Sequence, residues 1–329
     1  MVGGALQVLA TVAAAEGAAA LPAAPDPRPI GTSFPSVRAA IEATLTETDP
    51  VVVGFGEWHQ TSATATIAPT LRRFTEQVLP ELAPRLSHFI VETWMTSGRC
   101  GPVEEAVTKG LARSIDRPSA TEDDIADALR AAHGRGAAPR ILTMSCDDYR
   151  AMRGPPGPSD RASTSTTTAS PADLDFDRTL RLTGDALRRT IETALLERAR
   201  LGPRPTSPPG LRPLVAVYGG ALHNDVYPLP GLGIYSYARA IRVATLGRYL
   251  EIDLVIPEYA DTSPLLRAQD WWPVYRHARR AGRATRIRRG PTAFVIVFPA
   301  AAPAAPAAPA ASRDPRRRPE GVLGPGLAR

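Results

Sequence analysis

Acid and imidazole side chains follow three apolar segments of the sequence, where they could act as general bases or as metal ligands. Each segment is a short run rich in valine, isoleucine and leucine that predicts a buried β-strand. The polar residues are Glu57 and His59 after the run 51–55, Glu92 after 86–91, and His223 after 214–218. In open parallel sheets, reactive groups collect beyond the carboxyl ends of the strands. Two carboxylates and two imidazoles arriving from separate strands therefore predict one site.

The spacing of Glu57 and His59 places both side chains on the same side of an extended segment, because side chains alternate along a strand. A carboxylate beside an imidazole can orient the ring and raise its basicity, so that His59 acts as a general base. Alternatively, both groups bind a metal ion. A surface glutamate beside a capping histidine is the third interpretation.

Glu92 and His223 extend the predicted site to two further strands. A carboxylate that closes an apolar strand is costly to bury unless it is paired or bound, so Glu92 is either a partner in the site or an exposed strand end. The glycine pair 219–220 lets the backbone turn tightly before His223 and approach a ligand closely. Asn224 and Asp225 could then orient the imidazole from behind.

The predicted strands alternate with segments of helical spacing, which is typical of an α/β fold with a largely parallel sheet. We expect helices on both faces of this sheet and a pocket at the carboxyl ends of its strands. The predicted strands are 51–55, 86–92, 140–145, 214–218, 250–256 and 293–298. The predicted helices are 34–46, 61–82 with breaks near Pro69 and Pro80, 102–115, 121–133, 174–201, 236–246 and 265–280.

Residues 31–300 are predicted to form a single domain. Residues 1–30 are rich in alanine and proline, and form either a disordered leader or a degenerate secretion signal. They contain Ala-x-Ala sites, but no basic residue precedes Arg28 and Glu16 interrupts the apolar run. Export to the periplasm or cell surface is favoured over a cytoplasmic location. A disordered insertion is predicted at about 153–172 and a disordered tail at 301–329.

The composition and the missing motifs restrict the kinds of molecule that the protein is expected to bind. The net charge is +6 and comes mostly from arginine, but no nucleic-acid-binding motif accompanies it, so solvated faces and tails are expected instead. No charge-free apolar run reaches the length of a membrane-spanning helix. The sequence also lacks a Gly-x-Ser-x-Gly elbow, a Walker A loop and a His-Glu-x-x-His motif. A small molecule or a peptide remains as the expected partner.

The two cysteines, Cys100 and Cys146, each follow a predicted strand and do not form a Cys-x-x-Cys pair. They could be neighbours at one edge of the sheet and form a disulfide in an exported protein, or they could be unpaired thiols. Asp147 and Asp148 follow directly. These two acids either line the same crevice or cap a helix.

The motifs, taken together, resemble those of the superfamily that joins ChaN-like haem-binding lipoproteins, erythromycin esterases and Tiki/TraB metalloproteases. In that superfamily a Gly-Glu-x-His or Gly-Glu-x-x-His motif follows the first strand, a second strand ends in glutamate, and a Gly-x-x-His motif lies far downstream. The corresponding segments are Gly56-Glu57-Trp58-His59, the strand ending in Glu92, and Gly220-Ala221-Leu222-His223. Order and strand context match over about residues 48–300, and the first spacing is closest to the ChaN-like members.

The resemblance implies an α/β sandwich and two alternative functions. The first is a hydrolase of ester or peptide bonds, with Glu57, His59, Glu92 and His223 as catalytic residues. In its metal-dependent form Glu57, His59 and His223 would hold a divalent metal, and in its metal-free form His59 would be the base. The alternative is a haem-binding protein in which His59, His223 and Tyr218 contact the cofactor. The chain departs from the esterases in its shorter first spacing, and it lacks an evident lipobox cysteine.

Overall fold

The computed structural model describes residues 30–115, 117–118, 120–153, 174–201, 212–279 and 282–300. Its eight-stranded sheet has the order β1-β7-β8-β6-β2-β5-β3-β4. The strands are β1 (Ile30–Phe34), β2 (Val52–Glu57), β3 (Leu86–Trp94), β4 (Ala138–Leu142), β5 (Leu214–Gly220), β6 (Tyr249–Val255), β7 (Ala284–Gly290) and β8 (Ala293–Val297). The strand pairs from β8 to β4 are all parallel, and only β7 with its neighbours β1 and β8 is antiparallel. The prediction of a largely parallel α/β fold is confirmed.

Twelve α-helices are present in the described part of the chain. They are α1 (Val37–Thr48), α2 (Thr70–Gln77), α3 (Leu79–Leu82), α4 (Pro102–Ile115), α5 (Thr121–Gly134), α6 (Cys146–Met152), α7 (Phe176–Leu201), α8 (Ala221–Asn224), α9 (Ala238–Ala244), α10 (Pro257–Ala260), α11 (Pro264–Arg267) and α12 (Trp272–Ala278). The predicted helix at 61–82 is a 3-10 turn followed by α2 and α3, because proline cannot continue a helical hydrogen-bond ladder.

Two sequence expectations about the strands were wrong. The strands β1 and β7 were not predicted: the tripeptide Arg286-Ile287-Arg288 gives β7 a basic alternation, and four of the five residues of β1 are exposed. The predicted strand at 140–145 ends at Leu142, because Ser145 caps α6 by accepting from the backbone N–H of Asp148. The carboxylate of Asp148 in turn accepts a hydrogen bond from the Ser145 backbone N–H at 2.8 Å, so Asp148 is a helix-capping acid.

Alternate residues of β5 belong to two different hydrophobic clusters. Ala216 and Tyr218 pack in a cluster with side chains of α1, α2, α3 and α5. Val215 and Val217 pack in another with α7 and α9. The first cluster is centred on Phe74, whose ring lies 4.8–5.7 Å from the rings of Phe55, Phe89 and Tyr218. Burying each such aromatic contributes roughly 1.5–3 kcal/mol, so this cluster anchors β2, β3 and β5 to α2.

Cys100 and Cys146 form a disulfide. It joins the segment between β3 and α4 to the first residue of α6, and so cross-links the chain beyond the carboxyl ends of β3 and β4. Of the two interpretations of the cysteines, the structure supports the paired one.

The predicted leader, insertion and tail lie outside the described residues, apart from Ile30 and Arg153 at their borders. Within the described residues, no helix has the length and apolar character needed to cross a membrane.

Candidate functional site

The three strands that carry the acid and imidazole residues are neighbours in the sheet, with β5 between β2 and β3. Glu57 on β2 pairs in register with Gly220 on β5, and Val91 on β3 pairs with Tyr218 on β5. All three strands run in the same direction. Their carboxyl ends therefore meet at one edge, and the sequence motifs are brought together there.

Glu57 and His59 form a hydrogen-bonded pair at the end of β2. The Nδ1 atom of His59 lies 2.8 Å from Oε1 of Glu57. An ionised carboxylate can only accept, so Nδ1 carries the hydrogen and donates it. This leaves the lone pair on Nε2 of the neutral imidazole. The His59 side chain keeps 28% of its surface exposed.

Arg117 is a member of the site that the sequence analysis missed. It lies between α4 and α5, and its guanidinium donates to Nε2 of His59 at 2.8 Å. Its Nε atom is buried and has no hydrogen-bond partner among the described residues. No local pattern marks this arginine, because it belongs to no strand end and the chain contains many others. The imidazole is thus held between a carboxylate and a guanidinium.

Tyr218 supports Glu57 from the neighbouring strand. Its hydroxyl donates to Oε2 of Glu57 at 2.5 Å, so both carboxylate oxygens accept a hydrogen bond. Burial opposes ionisation of Glu57, but the bond from His59, the charge of Arg117 and the bond from Tyr218 together hold its pKa below the ordinary value. Burial and the adjacent carboxylate raise the pKa of Tyr218 well above its ordinary value. The pair is therefore an ionised carboxylate and a protonated phenol.

Glu92 and His223 form the second half of the site. Oε2 of Glu92 accepts from the backbone N–H of Gly220 at 2.7 Å, while Oε1 lies 3.6 Å from Nε2 of His223. Nδ1 of His223 lies 2.9 Å from the carbonyl oxygen of Tyr235, which can only accept, so Nδ1 donates. The remaining nitrogen of this imidazole therefore faces the Glu92 carboxylate, at a distance beyond that of a direct hydrogen bond.

The two halves meet at Gly220. A methyl group added there would lie 2.9 Å from Nε2 of His59 and 3.6 Å from Oε2 of Glu92. At Gly219 it would lie 2.4 Å from Oε2 of Glu92, a distance that van der Waals contact forbids. Neither glycine has a positive φ, so it is the close approach of side chains that requires them. The structure thus brings together all four of the predicted catalytic residues.

The short helix α8 carries His223 and is hydrogen-bonded to a buried polar cluster on the neighbouring strands. Asn224 donates to the carbonyl of Gly54 at 3.2 Å and to Asp253 at 3.3 Å. Arg289 pairs with Glu251 at 2.7 Å in the same cluster. Burial raises the pKa of Asp253 to about 7, against the opposing charge of Arg289. Asn224 thus holds α8 to the sheet, while His223 itself is held by Tyr235.

The predicted metal ligands stay a prediction, and the structure shows how their donor atoms are engaged. The described residues contain no group of three or more His, Cys, Asp or Glu side chains placed to hold one. Nε2 of His59, the lone pair a metal would need, already accepts from the cationic Arg117. Among the predicted haem contacts, the hydroxyl of Tyr218 is bonded to Glu57, and Tyr218 is only 2% exposed.

Comparisons with known proteins add no relative: no family model, curated protein or solved structure matches the chain. The superfamily resemblance therefore stays a prediction that rests on the motifs and their order.

Proposed function

We propose that the protein is a hydrolase of ester or peptide bonds in which His59 is the general base. The observation that carries the proposal is the chain of hydrogen bonds from Tyr218 through Glu57 to His59. It holds the imidazole in the tautomer whose Nε2 is an acceptor, which is the form that can take a proton from water.

In the first step, a water molecule attacks the carbonyl carbon while its proton passes to Nε2 of His59. The resulting imidazolium is stabilised by the ionised Glu57, whose pKa is held below its ordinary value. In the second step, the tetrahedral intermediate collapses, the bond to the leaving group breaks, and His59 returns the proton to the leaving atom. Protons and charges balance without another reactant.

Arg117 has two positions in this scheme. In the free enzyme its guanidinium occupies Nε2 of His59, which must be released before water can be deprotonated. We assign its second position to the carbonyl oxygen of the substrate, where a guanidinium stabilises the oxyanion as charge develops. Binding of substrate would then transfer the hydrogen bond of Arg117 from the base to the reacting group.

Glu92 and His223 are assigned to the other side of the same carbonyl group. His223 is buried, with 3% of its surface exposed, and one of its nitrogens faces Glu92. When it carries both protons it is a hydrogen-bond donor next to the site, and Glu92 balances its charge. We assign the polarisation of the substrate carbonyl to the Nε2–H of His223, which at 3.6 Å from Glu92 is not engaged in a direct hydrogen bond with it.

The proposal includes the setting of the site. Helices on both faces of the sheet are supported by the two clusters that divide the residues of β5, and the proposal places a pocket at the carboxyl edge, where the four site residues meet. Export to an oxidising compartment is supported by the disulfide between Cys100 and Cys146, because such bonds persist mainly outside the reducing cytosol. The substrate is a small molecule or a peptide.

Hydrolysis of a panel of p-nitrophenyl esters and peptide p-nitroanilides tests the proposal. We expect His59→Ala to lower kcat/KM by about 10²–10⁴-fold, the usual contribution of a general base. Arg117→Gln should lower kcat by about 10²-fold or more, as loss of an oxyanion donor does. His133→Ala is the matched control, because His133 is exposed on α5 away from the site residues.

Two further measurements separate the alternatives. Activity that survives a chelator supports the metal-free form, whereas activity lost with chelator and restored by a divalent cation replaces it with the metal-dependent form. Titration with haem tests the binding function: an absorbance band that His59→Ala or His223→Ala removes, in a protein without hydrolytic activity, would overturn the hydrolase proposal. Equal activity of wild type and His59→Ala would also overturn it.

A further inference from the structure

A second region with chemical potential lies among the short helices that follow β6. A cavity of about 330 Å³ is present there, within the size range of small-ligand sites. Its lining consists of Asp261, Arg267, Trp272, Arg276 and Arg279. None of these residues belongs to the Glu57–His59 site.

The charge of this arginine cavity is strongly positive because its single carboxylate is already engaged. Asp261 accepts from the hydroxyl of Tyr275 at 2.8 Å and from the guanidinium of Arg279. Its backbone carbonyl accepts from Arg267 at 2.5 Å. Asp261 therefore holds two guanidinium groups in place at the cavity, and its own charge cancels only one of them.

Arg276 is the third guanidinium and differs from the other two. It is exposed, and it has no hydrogen bond or ion pair among the described residues. Arg286, Arg288 and Arg289 on β7, by contrast, all pair with carboxylates. A guanidinium that is not engaged by a carboxylate can bind an oxyanion in a planar, bidentate way.

An aromatic wall completes the cavity. The indole of Trp272 stacks on the ring of Tyr275 at 4.5 Å with an interplanar angle of 28°. Tyr275 is fully buried and packs with Trp271, so the indole rests on a fixed support. A rigid aromatic surface next to positive charge suits a ligand that joins a planar ring to an anion.

We propose that the arginine cavity binds an oxyanion of the phosphate or sulfate type, carried on a planar ring. Arg276 and Arg267 contact the anion, Arg279 adds charge from its place beside Asp261, and Trp272 stacks on the ring. The proposal rests on residues separate from the hydrolytic site and stands whether or not that function is correct. Comparing the binding of inorganic phosphate with that of phenyl phosphate shows whether the ligand is a free anion or an anion attached to a ring.

Isothermal titration of the full chain with inorganic phosphate and with phenyl phosphate is the test. We expect Arg276→Ser to weaken the binding of both probes by roughly tenfold or more, because losing one charge-assisted hydrogen bond usually lowers affinity by that factor. Arg276 has no partner in the described structure, so this substitution leaves the fold intact. Arg113→Ser on α4 is the matched control, an exposed arginine outside the cavity that should leave both affinities unchanged.

The aromatic part is tested separately. Trp272→Leu should weaken the binding of phenyl phosphate several-fold and leave the binding of inorganic phosphate unchanged. Trp272→Phe should retain most of the wild-type preference for phenyl phosphate over inorganic phosphate. Equal effects on both probes would overturn the stacking role and leave a site for free anions. The whole proposal fails if wild type binds neither probe at millimolar concentration, if Arg276→Ser binds phosphate as wild type does, or if Arg113→Ser weakens it equally.

Discussion

At the scale of single residues, the charge of Glu57 determines what His59 can do. The carboxylate accepts two hydrogen bonds in a buried setting, one from the imidazole and one from Tyr218. Those bonds and the nearby guanidinium of Arg117 stabilise the ionised form more than burial destabilises it. Glu57 therefore stays charged at mildly acidic pH, where it can still orient the imidazole and balance an imidazolium.

Glu57→Gln should destabilise the protein and inactivate it, with a defined pH dependence. Because the folded-state pKa of Glu57 is lowered, its stabilising contribution is complete above the ordinary value of 4.5 and is lost as pH falls through the lowered value. The difference in unfolding free energy between wild type and variant should be about 1.5–3 kcal/mol at neutral pH and should close under acid. Denaturant unfolding across this pH range measures it.

The exposed Glu42→Gln serves as the control for this comparison, because the Glu42 side chain lies on the surface of α1. Its unfolding curves should follow those of wild type at each pH. A Glu57→Gln variant whose deficit stays constant down to strongly acidic pH would contradict the charged role of Glu57. So would a variant with wild-type stability and activity.

At the scale of elements, the strands with continuous apolar runs could be predicted from the sequence, and so could the acids and imidazoles at their ends. The strands β2, β3 and β5 are buried along most of their length, and most of their residues are apolar. Their adjacency is set by the sheet order, in which β5 enters between β2 and β3 from more than 120 residues downstream. The expectation that parallel strands end at one edge, together with the superfamily resemblance, grouped the residues.

Arg117 and the strand β7 are marked by no comparable pattern in the sequence. Arg117 reaches His59 from an irregular segment between two helices, and only the packed fold determines which of many arginines lies there. The strand β7 keeps its basic side chains because Glu47 on α1 pairs with Arg286 and Arg288. That pairing is a tertiary contact, which periodicity along the chain does not contain.

Gly219→Ala tests how β5 and β3 fit together at the site. The added methyl carbon would lie 2.4 Å from Oε2 and 2.8 Å from Cβ of Glu92, so the glutamate and its strand must move. We expect a loss of about 1–3 kcal/mol in unfolding free energy, as overpacking usually causes, and a matching loss of the Glu92 contacts to Gly220 and His223. Thermal unfolding and hydrolysis assays measure the two effects.

Gly134→Ala provides the matched control at the end of α5, where an added methyl would meet no atom within 4 Å. Alanine there should be neutral or stabilising, because it reduces the freedom of the unfolded chain. If Gly219→Ala behaves like Gly134→Ala, the close packing of β5 against Glu92 is not what selects glycine.

At the scale of the whole molecule, one covalent bond connects elements that surround the site. The disulfide joins Cys100, just before α4, to Cys146 at the start of α6. The helix α4 leads directly toward Arg117, while the strand before Cys100 carries Glu92. The cross-link therefore fixes the segment between two of the site residues to a part of the chain that contributes none.

Replacing both cysteines with serine should lower the unfolding free energy by about 2–4 kcal/mol, because the bond closes a loop with a sequence separation of 46 residues. A reducing agent should lower the Tm of wild type to that of the double variant and leave the variant unchanged. Thiol titration of the unreduced, unfolded wild type should find no free cysteine. Two free thiols there, or a wild-type Tm that is insensitive to reductant, would contradict the pairing. Since α4 leads to Arg117, reduction should also lower hydrolysis by wild type more than by the variant.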